Sequence, residues 1–492
     1  VSIAQSADLS AEQPLAAGAR WALASLSLTM LMSALGTSIA NVGLPTFMQA
    51  FAASFQDVQW IVLAYLLAIT TLIVSVGRLG DQFGRRRLLL GGLVLFTLAS
   101  LASALAPTLT VLALARGAQG LGGAIMMALT LAFVGDAVPK QKTGSAMGLL
   151  GTMSAIGTAL GPSLGGILID ALGWPALFLV NVPLGLLALL LVRRHLPADR
   201  PSLPNRAVAF DMPGTLLLAL SLAAYALAMT LGRGHFGLLN VALLAVALVG
   251  GALFVWAESR APSPLVQLAL FRNALLAGGV ATSALVTTVA MATLVVGPFY
   301  LVGAFELDAV ELGLVMSSGP IMAALTGVPA GRLVDRLGAE RMTVVALAGM
   351  TLGTTLLAVV PIRFGVAGYV APLLLVTGAY AAFQTANNTG VMKHVGPDQR
   401  GVVSALLNLS RNLGLITGAA VMGALFAFGA SMGSAANTPA GAAQSGLHLT
   451  FAVATVLVVL ALVVTSACRA LARRDSRHDH DRQRILELEQ RD

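Results

Sequence analysis

Two arginines, Arg116 and Arg411, lie inside long apolar runs, and each has amides at helical spacing: Gln119 after the first, Asn408 and Asn412 around the second. A guanidinium holds its proton too tightly to relay one, so its chemistry at such depth is to bind an anion or bias a partner's charge. Neutral amides at Asn41, Asn181, Gln384, Asn387 and Asn388 extend the polar set, with Gln384 and Asn388 on one helix face. None of the 21 acidic residues falls in the middle of a run; Asp57, Asp136, Asp170, Asp211 and Glu258 come nearest, at run ends. The histidines are peripheral too, and no run presents paired His or Asp/Glu at metal-ligand spacing. His478 and His480 belong to a charged tail and read as solvated. Lys140, Lys142 and Lys393 follow Pro, Gln and Met, so the Gly-Lys-Ser/Thr loop of an ATP-driven pump is absent. The expectation is a chain that is not an enzyme and that needs neither metal nor cofactor.

The elements that must position these groups are apolar helices. Of 492 residues 57% are hydrophobic and 10% charged, where a soluble domain carries roughly a quarter charged. Runs near the ~20 residues that span a bilayer fall at about 21–46, 58–78, 88–106, 108–134, 144–169, 174–193, 212–232, 238–257, 274–302, 311–332, 341–361, 367–392, 400–428 and 447–468. The reading is an all-α, multi-pass membrane protein with 14 transmembrane helices. The first 20 residues carry Asp8 and Glu12 and no basic charge before Arg20, so the first run is expected to stay as a span rather than be cleaved. The single cysteine, Cys468, excludes an internal disulfide.

Charge placement sets the orientation. With both termini cytoplasmic, only Arg233 and Arg363 of the 29 lysines and arginines fall in outer connections, and only Arg116 and Arg411 lie within spans. The net charge of +8 is thus spread over inner loops, which argues against a nucleic-acid partner.

The phrase GRLGDQFGRRR (Gly77 to Arg87) returns as GRLVDRLGAER (Gly331 to Arg341), matching at Gly77/Gly331, Arg78/Arg332, Leu79/Leu333, Asp81/Asp335, Gly84/Gly338 and Arg87/Arg341. A weaker echo links Gly120, Pro139 and Gln141 to Gly378, Pro397 and Gln399. The chain reads as two six-helix halves in parallel orientation, the arrangement of secondary transporters that rock one half against the other. The expected organisation is 1–206 for the N-terminal tail and first half, 207–262 for two inserted helices, 263–468 for the second half and 469–492 for a charged cytoplasmic tail.

These residues resemble the fourteen-span drug:proton antiporter branch of the major facilitator superfamily over essentially the whole span region. Three motifs carry the resemblance: the repeated phrase, ARGAQGLGG around Arg116, and GTALGPSLGG from Gly157 to Gly166. GWPALFLVNVPLG around Asn181 and NLSRNLG around Arg411 add to it. The resemblance implies the major facilitator fold, two six-helix bundles plus two inserted helices. It implies a gating role for Gly77, Asp81, Gly84, Arg85 and Arg86, and for Gly331, Asp335 and Gly338. It gives Arg116, with Gln119, Asn41, Asn181, Gln384, Asn388 and Arg411, a part in coupling or substrate contact. Gly157, Gly161, Pro162, Gly165 and Gly166 match the antiporter motif, whose glycines recur on one face and permit close helix approach; Pro162 removes one helix hydrogen bond.

Leu374 stands in the second half at the position that echoes Arg116, so that feature belongs to one half only. Two positions depart from the family pattern: Gln82 stands where the first motif has a basic residue, and Gly36 replaces the intramembrane aspartate of span one. That aspartate would serve as proton carrier or as counter-charge to a cationic drug. The expected function is export of drugs or amphiphilic small molecules across the cytoplasmic (inner) membrane by a monomer, in exchange for protons, with neutral or anionic substrates favoured. Import or facilitated passage of one metabolite is the alternative.

Overall fold

A computed structural model of the chain describes residues 17–73, 75–137, 143–199, 211–231, 237–261, 271, 273–393, 400–433 and 438–489. Among these residues all regular structure is helical, and fourteen helices are long and apolar enough to cross a membrane. The chain divides into two compact units, one of residues 1–254 with 297–324, the other of 255–296 with 325–492.

The first unit begins with α1 (Ala17–Val42), short α2 (Leu44–Ala50), α3 (Phe55–Ile73) and α4 (Val76–Phe83). It continues through α5 (Arg85–Ala104), α6 (Leu109–Ala137), α7 (Thr143–Leu172), α8 (Ala176–Leu179) and α9 (Asn181–His195). α10 (Met212–Thr230) and α11 (Leu238–Arg260) follow. α1 packs along α7, while α6 packs on both α3 and α5. Leu26, Met32, Tyr65, Phe96, Met126 and Leu129 fill the core they share. α10 docks on α3, where Trp60 Nε1 donates to Thr230 Oγ1 at 3.1 Å. Only 6% of the most apolar stretch of α11 is buried within the described chain, so that helix presents an apolar surface of the kind a bilayer solvates.

α12 (Ala274–Phe305) and α13 (Ala309–Leu337) contribute to both units. The stretch 297–324 belongs with the first because Phe299 meets Phe55 edge-on at 4.3 Å and Gly313 lies against Pro162 and Gly166 of α7. The second unit adds α14 (Ala339–Val359), α15 (Gly365–Lys393), α16 (Arg400–Thr417), the π-type turn Gly418–Met422, α17 (Gly423–Gly433) and α18 (Pro439–Glu489).

Four local features differ from the sequence reading. The first charged phrase is no plain loop: Val76–Phe83 forms α4, and Gly84 at φ 90° turns the chain into α5. The sixth span is broken at Val180, because Pro183 has no N–H to give the Leu179 carbonyl. The stretch GASMGSAANTPAGAAQSG, which reads as a flexible outer connection, is mostly helix, since α17 runs to Gly433 and α18 starts at Pro439. Its small residues serve packing: a Cβ on Gly429 would lie 3.0 Å from the Gly446 Cα. Lastly, α18 continues through the charged tail to Glu489.

Candidate functional site

α6 carries Arg116 into the interior of the first unit, where none of the residue is exposed. Nε donates to the Ile61 carbonyl on α3 at 3.0 Å, and Nη1 donates to Gln119 Oε1 at 2.5 Å, one turn along. Gln119 Nε2 in turn donates to Ser100 Oγ on α5 at 2.7 Å. The guanidinium carbon stands 4.2 Å from the centre of the Tyr65 ring and 5.8 Å from that of Phe178. A carbonyl, an amide and two π faces therefore hold the cation. Nη2 has no hydrogen-bond partner among the described residues.

α1 passes this cage at Gly36. A Cβ there would lie 3.0 Å from Phe96 Cζ and 3.2 Å from Tyr65 Oη. The Tyr65 hydroxyl donates to the Ser33 carbonyl at 3.1 Å, which fixes the ring in that place. Where the resembled family carries an aspartate, two aromatic rings occupy the space. Asn41, further along α1, turns onto its own helix, with Nδ2 donating to the Thr37 and Ser38 carbonyls at 3.1 and 3.2 Å. Asn181 starts α9, fully buried, with neither side-chain amide atom partnered among the described residues.

The glycine motif on α7 has two faces. Gly157, Gly161 and Gly165 lie against α1: a Cβ on Gly157 would sit 2.5 Å from the Leu31 carbonyl oxygen, 3.0 Å from Ala34 Cβ and 3.2 Å from the Leu35 nitrogen. Gly161 faces Ser38, whose hydroxyl donates to the Gly157 carbonyl at 3.3 Å, and Gly165 faces Val42. Gly166 and the Pro162 carbonyl face the other way, onto Ala309 and Gly313 of α13. The second unit repeats the first face. A Cβ on Gly414 of α16 would sit 2.5 Å from the Ala284 carbonyl oxygen, 2.8 Å from Thr287 Cβ and 3.1 Å from the Thr288 nitrogen, and Gly418 follows one turn later against Met291. The sequence reading passed over Gly414 and Gly418, although their four-residue spacing in LGLITGAA was visible. Where α7 has Pro162 next to Gly161, the second unit has the π-type turn starting at Gly418. Both devices interrupt the regular helical bonding at the glycine seam.

In the first charged phrase the side chains of Arg78 and Asp81, and the burial of Gly77, lie outside the described residues. The carboxylate on the first turn of α5 is that of Asp199, which accepts from the Arg86 and Arg87 backbone N–H groups at 2.7 and 3.1 Å. The Arg86 side chain donates to the Arg193 carbonyl, tying α5 to the end of α9. Gly84 is required there, since a Cβ would lie 2.5 Å from Asp199 Oδ2. Nothing near Asp199 in LPADR marks it as a cap; the pairing exists only through the packing of α9 on α5. In the second phrase Asp335 is exposed, and a Cβ on Gly331 or Gly338 would meet no described residue within 4 Å.

The remaining amides of the second half divide between two environments. Asn387 is buried and donates to the Gly279 carbonyl at 3.1 Å, and Asn412 is buried as well. Gln384 donates to Tyr380 Oη at 2.8 Å, while Asn388 and Arg411 are exposed. Arg116 and Arg411, alike in sequence, are thus opposites in burial.

Residues 26–419 match the family model described as Major Facilitator Superfamily. Multidrug resistance protein Stp of Mycobacterium tuberculosis is 34% identical over 416 residues, covering 82% of this chain and 75% of that protein. Riboflavin transporter RibZ of Clostridioides difficile is 30% identical over 398 residues, covering 81% of this chain and 86% of that protein. Among solved structures, a bacterial homologue of the human lysosomal transporter Spinster, inward-facing and unoccupied, superposes with a TM-score of 0.65. That match covers 92% of this chain and 98% of the other at 14% identity, a likeness of fold alone.

Proposed function

The chain belongs to the major facilitator superfamily as a multi-pass transporter of small molecules, and from that premise we propose that it exports drugs or other amphiphiles across the cytoplasmic membrane. Transport runs by alternating access between two halves, coupled to inward proton flow. Neutral or anionic substrates are favoured over cations. Two observations support export: the α7 glycine motif, and relatives whose names record multidrug resistance.

The observation that carries the substrate preference is the cage around Arg116. In each of the fourteen spans, every aspartate or glutamate lies within three residues of a span end. A buried fixed cation without an intramembrane carboxylate repels cationic drugs and attracts anions and carbonyl dipoles. Gly36, packed under Tyr65 and Phe96, offers no acid for a proton to ride on, so the proton path runs through Asp81, Asp136 or the substrate.

A second reading is favoured by one relative: RibZ is named for riboflavin transport, and this chain would then import or facilitate passage of one metabolite. Inside-out vesicles with a respiration-driven proton gradient separate the two. Addition of a neutral or anionic amphiphile is expected to dissipate the gradient in wild type and not in Arg116→Ala. Labelled substrate that moves without any gradient loss would sink the antiport reading. Ethidium transport with the affinity of a cation pump would sink the substrate preference. In intact cells, an impermeant maleimide should spare Cys468 and label a cysteine placed at Arg363, which checks the orientation.

A further inference from the structure

The two copies of the charged phrase end in the same backbone shape and opposite electrostatics. Gly84 and Gly338 both take positive φ, 90° and 84°, and each begins a helix, α5 and α14. Glycine brings no capping side chain, and first-turn N–H groups have no partner within their own helix. In the first copy Asp199 answers that need by accepting from the N–H groups of Arg86 and Arg87. The matching positions in the second copy are Glu340 and Arg341. There the residue that arrives from the last helix is a cation: Arg469, whose Nη1 donates to the Glu340 carbonyl at 2.8 Å.

Where the first copy has a carboxylate, the described residues of the second leave space. A cleft of about 690 Å³ opens within the second unit at the start of α14. Arg341, Lys393 and Arg469 stand on its wall, with Asp335 and Glu340 beside them. Val334, Leu337 and Val391 line it as well. A Cβ on Gly338 would meet nothing within 4 Å, in contrast to the crowding of Gly84 by Asp199. Three basic side chains, a helix N-terminus and an apolar wall together suit an anion attached to a hydrocarbon chain.

We propose that this cleft binds the phosphate of a phospholipid headgroup, which takes in the second copy the place that the Asp199 carboxylate takes in the first. The two acidic residues on the same wall suit a headgroup that also carries an ammonium or hydroxyls. That the lipid comes from the inner leaflet rests on the orientation read from the lysine and arginine bias; the phosphate chemistry does not. The only cysteine of the chain, Cys468, lies on the same wall and reports occupancy.

The test uses the full chain purified in a non-ionic detergent, with short-chain phosphatidylethanolamine, short-chain phosphatidylglycerol or inorganic phosphate as probes. Native mass spectrometry reads retained adducts, and maleimide alkylation of Cys468 reads protection of the cleft. Wild type is expected to retain one lipid that slows alkylation. The Arg341→Ala, Lys393→Ala double variant is expected to weaken retention by about tenfold or more, as loss of two basic groups near a phosphate implies. The charge-preserving Arg341→Lys, Lys393→Arg variant keeps it. Equal protection by inorganic phosphate would overturn the lipid and leave a site for soluble phosphates. Adducts retained equally by wild type and the alanine variant, with no protection by any probe, would overturn the site itself.

Discussion

The Tyr65 ring lies against Arg116, its centre 4.2 Å from the guanidinium carbon, and its hydroxyl lies 3.2 Å from where a side chain on Gly36 would begin. One residue thus spans the distance between the buried cation and the position at which the resembled family pattern has an aspartate. The loss of that acid is a repacked site rather than a gap.

Gly36→Asp should therefore not simply restore a carboxylate. Its Cβ forces Phe96 and Tyr65 to move, and overpacking of this kind costs about 1–3 kcal/mol. A lowered midpoint of thermal unfolding in detergent checks this, with Gly36→Ala showing most of the same loss. A Gly36→Asp protein as stable as wild type would mean that the rings yield freely. Where the variant does fold, it should gain transport of cationic dyes.

Arg116→Lys is expected to fail as Arg116→Ala does. A single ammonium cannot reach the Ile61 carbonyl and Gln119 Oε1 in the fork that Nε and Nη1 make. Transport rates in proteoliposomes should fall by about tenfold or more, the factor that accompanies ~1.4 kcal/mol. A lysine variant of near wild-type rate would reduce the cage to a charge requirement.

Gly157→Ala and Gly414→Ala should destabilise by similar amounts, because each new methyl meets a carbonyl oxygen at 2.5 Å on the helix opposite. Gly151→Ala, inside the same helix as Gly157 and with nothing within 4 Å, is the matched control and should not destabilise, since alanine favours the helix over glycine. Thermal unfolding of the three variants measures this. A silent Gly414→Ala would mean that the second seam is looser than its geometry.

Asp199→Ala removes the carboxylate from the first turn of α5 and should cost about 0.5–2 kcal/mol, the range for lost helix caps. Faster hydrogen exchange at the Arg86 and Arg87 amides would locate the effect, while the Arg341 amide stays unchanged. Unaltered exchange at Arg86 would show that the cap is not formed in solution.

The helices were legible because a bilayer demands about 20 apolar residues in a row, and each of the fourteen runs recurs as a helix displaced by only a few residues at most ends. Arg116 and Gln119 were legible as a pair from their spacing, and the structure joins them by one hydrogen bond. Their remaining partners were not, because backbone carbonyls and serine hydroxyls recur throughout the apolar runs and nothing in the sequence singles out Ile61 or Ser100. Asp199 was hidden for the same reason, since its role depends on where α9 delivers the chain. The stretch 429–446 misled the reading because glycine and alanine mark both loops and close helix contacts. Gly414 and Gly418 could have been found, because the spacing that identified Gly157 and Gly161 recurs there.

The Arg116 cage also bears on how the chain is made. Inserting an arginine at mid-membrane costs about 2.5–3.5 kcal/mol on translocation scales. Ile61, Tyr65 and Ser100 all precede Arg116 in the chain, and Gln119 follows on the same helix. Because synthesis runs from the N-terminus, the carbonyl and π face that accept the guanidinium are already made when α6 emerges from the ribosome. Only Phe178 comes later, as the closing face. The order of residues along the chain thus makes α3 and α5 available as docking surfaces for α6 before the later helices are synthesised.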